Sequence, residues 1–345
     1  MAGPGDRDSA PRRRPLSERA RDSHSATEPP RDRIPPLTLT RELPAMDSHA
    51  RAFLDELNKQ EAPGWHELPT EEARAGFSAL APVFETGPEV SLVEDRTVAG
   101  VPCRAYVPDG ASGVVVYLHG GGWVLGDLET HDTICRRLAA AAGAGVLSVD
   151  YRRPPEHPFP APLDDCVTVT EAVFAGAAGD LPVGPVLVAG DSAGGNLAAG
   201  VAVRVGGRLD LAGLVLMYPV LDVSMSTESY REFATGHGLT ADTMAYFWKC
   251  YAPTAGEATD PAANPADADL SNFPPTVITS CGYDVLRDEA HQFADRLKEA
   301  GRDVTEIRHD DQVHGFMHFT GAVPAGRDAA TEVASATRTL LDRAA

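Results

Sequence analysis

The sequence predicts an α/β fold in which helices cover both faces of a mostly parallel central sheet, with a helical cap above it. Three observations predict this fold. Apolar runs of strand length recur between residues 90 and 309, segments of helix length separate them, and residues 222–265 interrupt the alternation. Uninterrupted apolar runs are typical of parallel strands buried on both faces. Their alternation with helices indicates a doubly covered sheet.

The predicted elements can be taken in chain order. Apolar residues at helical spacing predict a helix from Ala50 and a second helix after Pro69, and residues 90–107 predict short strands with a turn at Ala99-Gly100. The buried strands are predicted at Val114–Leu118, Val146–Tyr151, Val186–Ala189, Leu214–Tyr218, Thr276–Ser280 and Val304–His309. The helices among them are predicted at about 130–142, 162–176, 193–206, 285–300 and 324–343.

Composition divides the chain into a tail and a folded part. Residues 1–45 contain nine arginines, seven acidic residues and many prolines, which is the composition of a disordered tail. Met46 is either the true start of the protein or the beginning of order. The remaining divisions are predicted as N-terminal cap helices at 46–82, the first part of the core at 83–221, a cap insertion at 222–265 and the second part of the core at 266–345.

Charge and cysteine content exclude several classes of function. The formal net charge of −20 argues against a nucleic-acid surface, which needs clustered lysine and arginine. No apolar stretch reaches the roughly 18 residues of a membrane span, and the arginines at 12–14 lack the hydrophobic region of an export signal. The five cysteines form no CxxC pair or metal-like spacing. We therefore expect a cytoplasmic protein with no metal and no cofactor.

One serine lies in a strand-to-helix turn. The run Gly190-Asp191-Ser192-Ala193-Gly194 matches G-x-S-x-G and stands between the predicted strand 186–189 and the predicted helix 193–206. Such a turn exposes the serine hydroxyl at the carboxyl end of the sheet. The start of the helix and the Ala193 amide then point towards a developing oxyanion. An incidental serine in a tight turn is the competing interpretation of this pattern alone.

A glycine loop follows another predicted strand. His119-Gly120-Gly121-Gly122-Trp123 comes directly after the apolar run 114–118. Three consecutive glycines cost conformational entropy, which is expected where backbone amides are needed for binding. The amides of Gly120 and Gly121 are therefore predicted to complete an oxyanion hole with that of Ala193. A flexible loop without function is the alternative.

A nucleophilic serine needs a histidine base and an acid that orients it. His314 lies in a predicted loop, residues 310–316, between the last strand and the last helix, whereas His309 is expected to be structural. Asp284 follows the strand predicted at 276–280, again at a carboxyl end. Asp288 and Glu289 lie in the first turn of the following predicted helix. Acidic side chains are favoured there because they interact with the positive end of the helix dipole.

Together these motifs resemble the hormone-sensitive-lipase family of α/β-hydrolases, the bacterial family IV esterases. The resemblance covers nearly all of residues 46–345. It rests on HGGGW at 119–123, DYRRPPEHPFPAPLDD at 150–165, GDSAGGNLA at 190–198, YDVLRDE at 283–289 and VHGF at 313–316. It implies that Ser192, Asp284 and His314 form a catalytic triad.

Two positions depart from the family pattern. Arg153-Pro154 stands where the family usually has Leu-Ala, and Val285 stands where it usually has proline after the catalytic aspartate. Neither change removes a reacting group, but the first could alter a loop near the active site.

The expected function is serine carboxylester hydrolysis with short acyl chains, which the family likeness favours. The expected partner is a small-molecule ester, with neither nucleic acid nor membrane, and a homodimer is left open. A deacetylase of an acetylated natural product or drug is an alternative. Another is a member of the same fold that binds a ligand without hydrolysing it. Six side chains of the predicted lid either shape an apolar pocket or pack the lid on the sheet: Phe53, Leu54, Phe77, Met244, Phe247 and Trp248.

Overall fold

The computed structural model describes residues 1, 43–60, 62–80 and 85–345. The expected disordered tail, except for its first residue and its last three, lies outside the described residues. The described part contains one eight-stranded sheet with helices on both faces. The predicted α/β fold is therefore confirmed.

The sheet is mostly parallel. Its strands are β1 Leu92–Val98, β2 Val101–Val107, β3 Val114–Leu118, β4 Gly145–Val149, β5 Val186–Asp191, β6 Gly213–Met217, β7 Thr276–Tyr283 and β8 Val304–Val313. Their order is β1-β2-β4-β3-β5-β6-β7-β8. The pairs β1/β2 and β2/β4 are antiparallel, and the strands from β4 to β8 pair in parallel. The carboxyl ends of these parallel strands therefore meet at one edge, where α/β folds bind their ligands.

Outside residues 222–265, the described helices occur close to the predicted positions. They are α1 Ser48–Lys59, α2 Thr70–Ser78, α3 Asp132–Ala142, α4 Ala161–Phe174, α5 Ala193–Val205, α6 Glu228–Glu232, α7 Ala241–Tyr251, α8 Ala255–Ala258, α9 Arg287–Glu299 and α10 Ala325–Ala344. Two 3₁₀ turns lie at Trp65–Glu67 and Pro265–Asp267. None of the helices in the described ranges is long and apolar enough to cross a membrane.

The predicted end of β8 is wrong. The strand continues through the polar run Asp310-Asp311-Gln312 to Val313, where a loop was predicted. Its pairing with β7 continues past an irregularity at residues 281–283, so that Val313 lies opposite Tyr283. Backbone pairing to a buried neighbouring strand therefore outweighs the low strand propensity of the two aspartates. As a result, His314 follows directly on the end of a strand.

The segment before α1 lies against the carboxyl ends of β7 and β8. The Asp47 amide donates to the Asp311 carbonyl at 2.9 Å, and the Tyr283 hydroxyl donates to the Pro44 carbonyl at 2.7 Å. The Asp47 side chain also caps α1 by accepting from the amides of His49 and Ala50. Residues 44–47 are therefore held in place by hydrogen bonds to β7 and β8.

The N-terminal helices and the 222–265 insertion are in contact. His66 Nδ1 lies 3.1 Å from the Thr243 hydroxyl, which is in the first turn of α7. Met244, Phe247 and Trp248 of α7 are buried in the same apolar core as Ala73 of α2. These contacts support the cap that the sequence predicts. We propose that residues 46–82 and 222–265 form this cap.

Close helix packing leads to a stability prediction. A Cβ at Gly194, in the first turn of α5, would overlap the Leu118 carbonyl oxygen of β3, whereas a Cβ at Gly256, in α8, would meet no atom within 4 Å. We expect Gly194→Ala to lower the free energy of unfolding by about 3 kcal/mol or to prevent folding, because the backbone has to move. Gly256→Ala, the matched control, should leave stability unchanged or slightly raised. Urea unfolding of both variants measures this, and equal stabilities would contradict the packing described.

Candidate active site

Ser192 lies in a strained turn between β5 and α5. Its φ of 53° and ψ of −117° are rarely adopted by residues with a side chain. The turn is held by a hydrogen bond from the Ser192 amide to the Met217 carbonyl at 2.8 Å. A Cβ at Gly190 or Gly194 would overlap neighbouring backbone atoms, which explains the glycines around the serine. The turn places the hydroxyl at the carboxyl edge of the sheet.

The structure brings Ser192, His314 and Asp284 together in one hydrogen-bonded chain. His314 Nε2 lies 3.0 Å from Ser192 Oγ, and His314 Nδ1 lies 2.7 Å from Asp284 Oδ2. Asp284 is 1% exposed, and its other oxygen accepts from the Leu286 amide at 3.0 Å. Because the carboxylate accepts from Nδ1–H, Nε2 is left to accept the serine proton.

Neighbouring histidines are held in other roles. His119 is fully buried and stacks on Tyr151 with ring centroids 4.2 Å apart. Burial, together with nearby His131, lowers the pKa of His119 to about 3. His309 lies within β8 rather than at its end, with its ring edge against Phe316. The expected structural role of His309 agrees with this packing.

The glycine loop lies beside the serine, but the prediction for Gly120 as an oxyanion donor is wrong. Its amide donates to Asp191 Oδ1 at 3.0 Å and faces His131 Nε2 at 3.2 Å, both of which are buried. The N–H is therefore directed into the protein. A Cβ at Gly120 would overlap Asp191 Oδ2, so this residue is glycine because it packs against the aspartate.

Among the residues that the structure describes, no acceptor is found for the amides of Gly121, Gly122 and Ala193. Gly121 and Gly122 have φ values of 97° and 59°, which glycine adopts without strain. Ala193 is the first residue of α5, where amides are not used within the helix. The Gly122 amide was not among the donors predicted from the sequence, although the HGGGW motif contains this residue.

Two arginines bind the segment that directly follows the glycine loop, and nothing in the sequence indicated this role for Arg74. Arg74 of α2 donates to the Val124 carbonyl at 2.9 Å and forms an ion pair with Glu156 at 2.8 Å. Arg153, one of the departures from the family pattern, donates to the Gly126 carbonyl. This departure therefore acts on the loop near the active site, as expected. No local sequence pattern identifies Arg74, because its partners are distant in the chain.

The acidic residues after Asp284 connect α9 to the insertion. Asp288 Oδ2 accepts from the Ser229 amide at 2.8 Å, and Glu289 Oε2 accepts from the Leu221 and Asp222 amides at 3.2 and 2.7 Å. Burial raises the pKa of Glu289 well above its ordinary value. Their expected role at the helix N-terminus was incomplete, since these side chains also hold the chain that leads into the insertion.

Aromatic side chains of α7 pack on the glycine loop. Trp123 is fully buried and stacks on Tyr251 with centroids 4.2 Å apart and planes 3° apart. The Trp248 ring lies 4.8 Å from Trp123, and a Cβ at Gly122 would overlap the Phe247 ring. Phe53 instead contacts Phe319, with centroids 4.9 Å apart. The insertion therefore lies directly against the loop that flanks the serine.

A family model described as the alpha/beta hydrolase fold matches residues 115–318. The chain belongs to the α/β-hydrolase family. Carboxylesterase NlhH of Mycobacterium tuberculosis is 38% identical over 275 residues, which cover 75% of this chain and 86% of that protein. Ethyl acetate hydrolase of Pseudomonas putida is 31% identical over 270 residues, covering 74% and 85%.

Solved structures agree with this assignment. A thermostable esterase from Pseudomonas putida ECU1011 superposes with a TM-score of 0.81 at 31% identity, over 87% of this chain and 99% of that one. These similarities bear out the resemblance to the hormone-sensitive-lipase group drawn from the motifs. The protein is a carboxylesterase, a hydrolase of ester bonds.

The contact between Asp284 and His314 yields a kinetic prediction. Asp284→Asn keeps the size of the side chain but favours the wrong histidine tautomer, so kcat should fall by about 10⁴-fold. Asp288→Asn is the matched control, because its carboxylate binds Ser229 and Arg287. Steady-state kinetics on p-nitrophenyl butyrate measure both variants. Equal kcat values for the two would refute the role of Asp284.

Proposed function

We propose that this carboxylesterase hydrolyses short-chain acyl esters through a Ser-His-Asp triad and an acyl-enzyme intermediate. The observation that carries the proposal is the continuous chain from Ser192 Oγ through His314 to Asp284, with donor–acceptor distances of 3.0 and 2.7 Å. A serine hydroxyl is a weak nucleophile, and this chain supplies the base that activates it. The buried carboxylate stabilises the imidazolium formed during the reaction.

In the acylation step, Ser192 Oγ attacks the ester carbonyl carbon while His314 Nε2 takes the hydroxyl proton. The carbonyl oxygen becomes an oxyanion. Collapse of this tetrahedral intermediate breaks the bond to the alkoxy oxygen, which leaves as an alcohol with the proton from His314. The acyl group stays on Ser192 as an ester.

We assign oxyanion stabilisation to the amides of Gly121, Gly122 and Ala193. These N–H groups are fixed before the substrate binds, so little reorganisation is needed as negative charge develops. The N-terminus of α5 adds the positive end of the helix dipole at the same place. The Gly120 amide instead holds the loop in position through Asp191.

Deacylation repeats the same chemistry with water. His314 Nε2 takes a proton from water, whose oxygen attacks the acyl carbon, and the second tetrahedral intermediate collapses with release of the carboxylic acid. The proton returns from His314 to Ser192 Oγ, which restores the starting state. Each turnover consumes one ester and one water and needs no redox partner.

Two observations support a preference for short acyl chains. Phe247, Trp248 and Tyr251 fill the space over Gly122 and Trp123 with side chains that are at most 4% exposed. A relative named ethyl acetate hydrolase takes a two-carbon acyl group by that name. A closely packed aromatic cap over the loop leaves little length for an acyl chain, since pocket shape limits the substrates that fit.

Replacement of the nucleophile tests the reaction. Ser192→Ala should lower kcat on p-nitrophenyl acetate and butyrate by about 10⁵-fold or more, because no other group takes its place. Ser148→Ala, which changes a buried serine of β4, is the matched control and should retain activity. Circular dichroism establishes that both variants fold. Turnover by a folded Ser192→Ala enzyme at the wild-type rate would exclude the triad mechanism.

The acyl-chain preference is tested on p-nitrophenyl esters from acetyl to palmitoyl. Wild-type kcat/KM should be highest at the short end. Phe247→Ala should raise the octanoate-to-acetate ratio of kcat/KM by about tenfold, since the ring against Gly122 is removed and extra methylenes gain apolar contact. Tyr246→Ala, a change at the adjacent half-buried aromatic residue, is the control. A ratio that changes equally in both variants would mean that Phe247 does not limit chain length.

A further inference from the structure

A second buried cluster lies behind the glycine loop, on the side away from the proposed oxyanion. It contains Asp191, which directly precedes the nucleophile, and His131 and His318, with side chains 4%, 2% and 10% exposed. His318 Nε2 lies 3.1 Å from Asp191 Oδ2, and His131 Nε2 lies 3.6 Å from the same oxygen. The triad does not use any of these three side chains.

The Asp191 carboxylate is held by donors from three parts of the chain. Oδ1 accepts from the Tyr117 hydroxyl at 2.7 Å and from the Gly120 amide at 3.0 Å, and Oδ2 accepts from His318 Nε2–H. The pKa of Asp191 lies well below its ordinary value despite its burial, and the hydrogen bond from His318 is among the interactions that lower it. An ionised and fully buried carboxylate is stable only with such donors.

The surroundings of His131 fix its tautomer. The Thr130 hydroxyl donates to the Asp127 carbonyl at 3.0 Å, so it accepts from His131 Nδ1, which lies 3.0 Å away. His131 Nε2 therefore carries a lone pair and accepts from the Gly120 amide at 3.2 Å. The Gly120 N–H is thus shared between two buried acceptors, and its direction is fixed by both.

We propose that His318 is a positioning residue for the oxyanion hole. It fixes the Asp191 carboxylate, which orients the Gly120 amide and with it the next two amides, those of Gly121 and Gly122. Because Asp191 is also the residue before Ser192, the same cluster sets the oxyanion donors and the nucleophile relative to each other. This inference rests on the proposed function, in which those amides stabilise the oxyanion.

The same three side chains have ligand atoms within 4.8 Å of one another, a spacing that a metal ion could use. The Gly120 amide hydrogen argues for a hydrogen-bonded network instead, since it points at Asp191 and His131, two of the three candidate ligands. A cation between these atoms would be repelled by that hydrogen. The cluster therefore orients the Gly120 amide through hydrogen bonds alone, without a metal ion.

The experiment compares His318→Phe, which removes the donor, with His318→Gln, whose amide nitrogen can reach the position of Nε2. His291→Phe is the matched control, because His291 is also a largely buried histidine with one side-chain hydrogen bond, 2.9 Å from the Ser280 hydroxyl. For each variant we would titrate active sites with a reactive phosphonate and measure kcat and KM for p-nitrophenyl butyrate. Thermal unfolding is recorded alongside.

We expect His318→Phe to lower kcat per titrated site by about 10- to 100-fold with KM nearly unchanged, a fraction of the loss seen when an oxyanion donor is removed. His318→Gln should recover most of kcat, and His291→Phe should retain it. If His318→Phe does not fold, His318→Asn replaces it, since its shorter amide does not reach Asp191. A lower kcat for the asparagine than for the glutamine variant then supports the proposal.

Three results would overturn the proposal. One is a wild-type kcat per titrated site in folded His318→Phe, or in His318→Asn, because the histidine would then affect stability alone. Another is an equal loss in His318→Phe and His318→Gln. The third is loss of wild-type activity on chelation with recovery on adding zinc, which would assign the cluster to a metal. A wild-type enzyme inactive on all esters would instead overturn the proposed function.

Discussion

The close approach of α5 to β3 is the constraint on which the active site depends. Gly194 has no side chain because the Leu118 carbonyl occupies the place of its Cβ. This packing forces the sharp turn at Ser192 and brings the end of β3, where the glycine loop begins, next to the nucleophile. The parallel sheet then brings the ends of β7 and β8 to the same edge, with Asp284 and His314. The relative positions of the three triad residues therefore depend on this one packing contact.

Much of the fold and the triad could be predicted from the sequence, because apolar periodicity and glycine spacing are local signals. The turn at Ala99-Gly100, the sheet and the contact of Ser192, Asp284 and His314 follow from such signals. The engagement of Gly120 could not be predicted, since it depends on His131 and Asp191 meeting across distant parts of the chain. The extension of β8 to Val313 could not be predicted from local strand propensity, because pairing with β7 determines where the strand ends.

Two neighbouring residues, Asp191 and Ser192, belong to two separate buried polar networks. Ser192 takes part in the triad at the carboxyl edge of the sheet, while Asp191 carries a buried negative charge into the interior. Two carboxylates, Asp284 and Asp191, each face a histidine nitrogen. In the proposed mechanism the first orients a base, whereas the second binds the Gly120 amide of the glycine loop. The same pair of functional groups is therefore proposed to serve proton transfer in one place and loop positioning in the other.

The segment before α1 has a consequence for aggregation. β8 is an edge strand, and such strands offer unpaired backbone groups to other chains. The Asp47 amide covers the Asp311 carbonyl at one end of it, and the other half carries the charged residues Glu306 and Arg308, which form an ion pair at 2.7 Å. Charges on an edge oppose uncontrolled pairing between copies. The homodimer that the sequence leaves open stays untested, and any such assembly has to accommodate this charged, partly covered edge.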